Sequence, residues 1–222
     1  SIAQSTAVNA QTQTRYFQIQ SRRIEVLIDQ ASSSQGLALI AHPHPLFGGT
    51  NQNKVVQTLA RAFLEQGYDT WRPNFRGVGE SEGRYDEGRG ETEDFLSLLQ
   101  EAKRQYPDLG TATRCLALAG FSFGSFVASM AFEKLDSLAL RADKLVLVGP
   151  AASRFPMPTV PEHSIVIHGE DDEVVALADV MAWARPMALP VLVFPQTSHF
   201  FHGRLPLLKQ RVSQCLARGR QN

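Results

Sequence analysis

The chain has 222 residues, 43% of them apolar and 20% charged, which fits one globular domain able to bury a full core. Lys and Arg together number 22 and so do Asp and Glu, so no broad field exists to hold a nucleic-acid backbone or an anionic membrane. Size and charge together point to a small molecule met in a cleft.

Residues 1–14 are polar and read as a loosely attached arm, ahead of a single domain over 15–222. Residues 16–20 and 23–28 alternate apolar and polar side chains, which predicts two strands with one wet face, a hairpin or edge pair. At 36–41 the texture changes to an unbroken apolar run, suited to a central parallel strand covered on both faces. Similar runs recur at 68–72, 115–120, 144–148, 164–168 and 191–194. Helical patterns lie between most of them, at 51–66, 92–105, 122–135 and 176–184, and a last one follows at 204–218. Strand and helix alternate, which predicts an α/β fold with a mostly parallel sheet of about eight strands flanked by helices. Pro150, Pro156, Pro158 and Pro161 crowd the connection before the seventh strand. That leaves little room for an inserted helical cap, so the cleft is expected to be open.

Cys115 lies in an apolar run and Cys215 in the last helix, where both read as small, buried or half-buried hydrophobes and not as a disulfide framework. No apolar run approaches the roughly 18–20 residues that span a bilayer. With no signal peptide visible, these features point to a reducing, cytoplasmic setting. Monomer and homodimer both stay open.

Gly120-Phe-Ser-Phe-Gly124 matches G-x-S-x-G, with an apolar strand before it and a helical pattern after it. Strand, sharp turn and helix is the context in which this pentapeptide presents a nucleophilic serine. Glycines two residues to either side let the chain turn tightly, and the helix N-terminus brings unpaired N–H groups beside the serine oxygen. Ser122 is therefore the candidate nucleophile. A serine hydroxyl needs a base to take its proton. His199, in the loop between the strand at 191–194 and the last helix, fits that place better than His202, which lies nearer the helix. An acid that fixes the imidazole belongs between the two, after a strand, and Glu170, Asp171 and Asp172 crowd the turn that follows 164–168.

With these residues the chain resembles the α/β-hydrolase superfamily. More narrowly, it is similar to a small, lidless group of bacterial hydrolases or esterases carrying H-P-H-P-L-[FY]-G-G, here His42-Pro-His-Pro-Leu-Phe-Gly-Gly49. The resemblance runs from about Arg22 to the C-terminus and includes Asn74-Phe-Arg-Gly-Val-Gly-Glu-Ser-Glu-Gly83 and His168-Gly-Glu-Asp-Asp-Glu-Val-Val175. It implies the chain order serine, acid, histidine. It places the acid three residues after Gly169, which selects Asp172 over Asp171. It also implies an oxyanion hole from two backbone N–H groups, that of Phe123 and that of His44, with Leu46 as the alternative. Pro43 and Pro45 have no N–H to give.

The activity implied is transfer of an acyl group from a small or short-chain ester to water, with no cofactor. Phe47, Phe121, Phe123 or Phe200 would line the cleft. A thioesterase, amidase or peptidase would use the same three side chains. A cofactor-free haloperoxidase, an acyltransferase and a binding protein that has lost activity are further readings. The stretch around Arg76 is not G-x-G-x-x-G and no Walker sequence occurs, so Arg76 is expected to fix its loop through an ion pair. The six histidines show no familiar zinc spacing, and no metal site is expected.

Overall fold

The computed structural model describes residues 8 and 11–218. Most of the expected arm lies outside the described residues, and Gln13 and Thr14 already belong to the first strand. The chain forms β1 (Gln13–Ile19), β2 (Arg22–Asp29), β3 (Gly36–Ala41), α1 (Lys54–Glu65), β4 (Tyr68–Pro73), α2 (Arg89–Gln105) and β5 (Cys115–Phe121). It continues as α3 (Phe123–Glu133), β6 (Lys144–Val148), β7 (Ile165–Gly169), α4 (Leu177–Ala184), β8 (Leu192–Phe194) and α5 (Leu205–Arg218). The strands make one eight-stranded sheet in the order β1-β2-β4-β3-β5-β6-β7-β8. β1 and β2 form the expected antiparallel hairpin at one edge, and β3 to β8 run parallel.

The apolar runs become central strands because both of their faces are covered. In β3, Leu37, Leu39 and Ala41 face the core under α2, α3 and α4, while Ala38 and Ile40 face the core under α1 and α5. β5 repeats this division, with Leu116 and Leu118 on one side and Ala117, Ala119 and Phe121 on the other. The connection from 149 to 161 contains turns but neither helix nor strand, so no cap covers the carboxyl ends of the strands.

Two helix starts differ from the sequence expectation by more than one residue. α1 begins at Lys54 and not at residue 51, because Asn53 caps it through Oδ1, which accepts the N–H groups of Val55 and Val56. α2 begins at Arg89 and not at residue 92. Glu91 accepts the N–H of Gly88 at 2.9 Å and that of Asp86 at 2.8 Å, which starts the helix inside a glycine-rich stretch.

β3 lies between β4 and β5, so the chain leaves it toward one side of the sheet and leaves β5 toward the other. The loops after β3 and β5 therefore meet at the carboxyl edge, where open α/β sheets hold their ligands. The loop after β3 is anchored from below by a buried ion pair. Arg72 Nη2 donates to Asp29 Oδ2 at 3.3 Å, with both side chains fully excluded from solvent. Arg72 Nη1 also donates to Asn51 O at 3.0 Å, and Asn51 Nδ2 returns a bond to Arg72 O at 2.9 Å. Removing Asp29 strands a guanidinium in the core. Asp29→Ala should therefore lower the unfolding free energy in urea by about 3–5 kcal/mol, and Asp29→Leu with Arg72→Met should recover most of it.

Candidate active site

Ser122 sits where β5 gives way to α3, with φ 56° and ψ −120°, a conformation that a side-chain-bearing residue adopts only under strain. Its neighbours show why both flanking glycines are needed. A Cβ on Gly120 would lie 2.1 Å from Gly124 O, and one on Gly124 would lie 2.2 Å from Ala41 O in β3. Both clashes are with backbone, so no side-chain movement relieves them. The turn is held from beneath. Ser122 N donates to Val148 O at 2.9 Å, and Ser125 Oγ links Ser122 O to Ala151 N.

His199 Nε2 lies 3.1 Å from Ser122 Oγ, and His199 Nδ1 lies 2.6 Å from Asp172 Oδ2. The three residues expected to work together are thus in one hydrogen-bonded line, all of them buried. The imidazole packs against Phe121 and Phe200, each ring centroid 4.9 Å away, and those two rings also meet each other edge to face. Among the described residues His202 shows no hydrogen bond to Ser122, and its ring lies 6.3 Å from that of Phe200.

Asp172 Oδ1 accepts the N–H groups of Val174 at 2.9 Å and Val175 at 2.7 Å. Burial opposes ionisation of this carboxyl. The bonds from His199 and Val175, with the nearby charges of His199 and His168, outweigh burial and hold it below the usual carboxylate range. His168 is a second histidine against the acid, with Nε2 3.4 Å from Asp172 Oδ2. The same Nε2 donates to Val175 O at 2.7 Å, which fixes the turn that offers its N–H groups to Asp172.

The loops carrying Asp172 and His199 are laced together. Glu170 N donates to Phe194 O and Asp171 N to Thr197 O. The carboxylates of Glu170 and Glu173 accept the N–H groups of Gln196 and His199. Glu170, one of the three acids that crowd this turn in the sequence, thus has a structural task. That task, and the contributions of Glu173 and His168, leave no pattern in the sequence because their partners are about 26 residues away or are main-chain atoms.

In the loop after β3, a Cβ on Gly49 would lie 2.1 Å from Pro43 O, so the loop closes tightly on itself. His42 Nε2 accepts Phe75 N–H at 3.0 Å and its Nδ1–H donates to Pro43 O at 2.7 Å. Burial pushes its pKa down to about 3, so His42 is a neutral tie between two loops. Leu46 N–H is already donated to His44 Nδ1 at 3.1 Å, which removes Leu46 as a free donor. Among the described residues the N–H groups of His44 and Phe123 have no acceptor. The His44 proton accordingly lies on Nε2, 3.1 Å from Tyr85 Oη. Tyr85, on the loop before α2, escaped the sequence analysis because that loop has no periodicity.

A cleft of about 450 Å³ opens above Ser122 and His199, with Phe47 and Phe200 on its walls. A recess of about 40 Å³ adjoins Ser122 and is bounded by Phe123, Ala151, Phe155 and Val175. Of the expected cleft phenylalanines, Phe121 lies beneath His199 and is fully buried. Arg76 behaves as expected, with Nε and Nη2 each 2.9 Å from Asp94, which also pairs with Arg22. Among the described residues no cluster of three His, Cys, Asp or Glu residues could hold a metal ion, and no helix is long and apolar enough to cross a membrane.

The family described as alpha/beta hydrolase fold matches residues 43–164 of the chain. Among solved structures, a Xanthomonas campestris protein described as an a/b serine hydrolase without lid is 31% identical, with 95% of each chain covered and a TM-score of 0.83. An alpha-beta serine hydrolase homologue from Coxiella burnetii is 35% identical over 91% of this chain and 96% of that one, with a TM-score of 0.77. A Rickettsia prowazekii protein is 29% identical over 172 residues, 74% of this chain and 69% of its own length.

The depressed Asp172 carboxyl has a measurable consequence. Its unfolded-state pKa is about 3.9, above the folded value, so the unfolded chain binds more protons between the two. The stabilisation is complete above the unfolded value and is lost as pH falls through the folded one. Unfolding free energy measured from pH 6 down to pH 2 should fall more steeply in wild type than in Asp172→Asn. Equal slopes would show that the carboxylate is not held in its ionised form.

Proposed function

The chain belongs to the α/β-hydrolase family, and on that premise we propose that it is a serine carboxylesterase acting on short-chain acyl esters. The observation that carries this reading is the line Ser122 Oγ, His199 Nε2, His199 Nδ1, Asp172 Oδ2 on the floor of an open cleft. Asp172 holds the proton of the neutral imidazole on Nδ1, which leaves Nε2 free to accept. His199 takes the Ser122 proton as Oγ attacks the ester carbonyl. The resulting oxyanion is received by the N–H groups of Phe123 and His44, which have no other acceptor among the described residues. His199 then protonates the departing alcohol. Water enters and gives its proton to His199 as its oxygen attacks the acyl carbon; the bond to Ser122 Oγ then breaks, His199 returns the proton to that oxygen, and the acid leaves. No step calls for a cofactor.

The recess of about 40 Å³ beside Ser122 supports the acyl preference, since it has room for only about two or three heavy atoms. In this reading the acyl chain enters the recess and the alcohol lies in the larger cleft. The relatives described as serine hydrolases are consistent with the reaction type.

The test is hydrolysis of p-nitrophenyl acetate, butyrate and octanoate. Acetate and butyrate should be the better substrates, and Ser122→Ala should lower kcat by a factor on the order of 10⁶. Activity that survives this change would remove Ser122 from the mechanism. Activity confined to thioesters or amides would keep the three side chains and replace the substrate class. Phe155→Ala should open the recess and shift the preference toward octanoate; an unchanged chain-length profile would place the acyl group elsewhere.

A further inference from the structure

Arg154 lies in the connection after β6, and together with Ser122 it lines both the cleft and the recess. It is solvent-exposed, and among the described residues no carboxylate forms a salt bridge with it. Its guanidinium carbon stands 6.0 Å from the ring centroid of Phe47, on the cleft wall. Among the described residues no carboxylate lines the cleft to compete for it. Burial, followed by the charge of Arg154, disfavours protonation of His44, so the cation is felt at the loop beside Ser122.

A second group points the same way. Asn53 also lines the cleft, and its Oδ1 is occupied in capping α1. Its NH₂ is left as a donor at the positive end of a 12-residue helix. The cleft therefore offers a fixed cation and an amide donor in a protein whose formal net charge is zero. With no overall field to gather anions, selection for them has to act at this site.

We infer that Arg154 is a specificity-determining residue, and that the ester cleaved at Ser122 carries an anionic group, carboxylate or phosphate, on its alcohol part. This rests on the reading of Ser122 as the nucleophile. The guanidinium is a planar, permanently charged fork that meets either oxyanion through two N–H groups. Arg154 binds the substrate and takes no part in proton transfer.

The test uses acetyl esters of matched alcohols. 4-Acetoxybenzoate is compared with its neutral isostere 4-acetoxybenzamide, and 4-acetoxyphenyl phosphate separates phosphate from carboxylate. The readout is the ratio of kcat/KM for the anionic ester to that for the neutral one. Arg154→Gln should lower this ratio about tenfold, mainly through KM, the size of one charge-assisted hydrogen bond. Arg154→Lys should restore part of the ratio, and Arg154→Glu should reverse the preference. A structural role would slow both esters alike and leave the ratio unchanged, and that result would overturn the inference. A second measurement does not depend on turnover. In Ser122→Ala, calorimetry should find 4-acetamidobenzoate bound more tightly than 4-acetamidobenzamide, and the difference should vanish when Arg154→Gln is added. Discrimination without ester hydrolysis in wild type would support anion selection and reject the esterase reading. No discrimination in Ser122→Ala would reject anion selection whatever the hydrolysis assay finds.

Discussion

The whole site depends on one close approach of backbone to backbone. The turn at Ser122 passes so near β3 that Gly124 has no space for a methyl group against Ala41 O, and Gly120 has none against Gly124 O. Only glycine permits this packing, and only this packing brings the serine oxygen up between the loops that follow β3 and β8. The strain at Ser122 is borne by the strands on either side, since β5 pairs along its length with β3 and β6. A local distortion is thus stabilised by the most completely buried part of the sheet.

The remaining groups reach Ser122 on loops, and each loop is tied to another. His42 joins the loop after β3 to the one after β4, while Glu170 and Glu173 bind the turn after β7 to the loop after β8. Main-chain N–H groups are the donors in these ties. Position therefore depends little on the mobility of long side chains, and carboxylates and imidazoles serve as fixed acceptors. Asp172 shows the electrostatic result, since its ionised form is stabilised by two N–H groups and by the imidazole it orients.

The elements were legible in the sequence wherever a periodic pattern decided them. The continuous run 36–41 became a strand covered on both sides, and the alternating pair at 16–28 became the edge hairpin. The serine turn was legible because its glycines answer a local steric demand. The helix starts were less so, since Asn53 and Glu91 set them through individual capping bonds. Tyr85, His168 and Arg154 were not singled out for any role at the site, because their placement arises from long-range packing. Which of His44 and Leu46 keeps an unbonded N–H also needed coordinates. A hydrogen bond from Leu46 N–H to an imidazole two residues away has no signature in composition or spacing.

The short last strand has a consequence of its own. β8 contains three residues and forms an edge of the sheet, with Pro190 and Pro195 close on either side. An edge strand is a template on which a stray chain can pair and so begin a fibril. Here the template is too short to hold a partner in register, and neither proline offers an N–H to extend it. At this edge the largely parallel sheet thus ends in a strand that resists growth by addition.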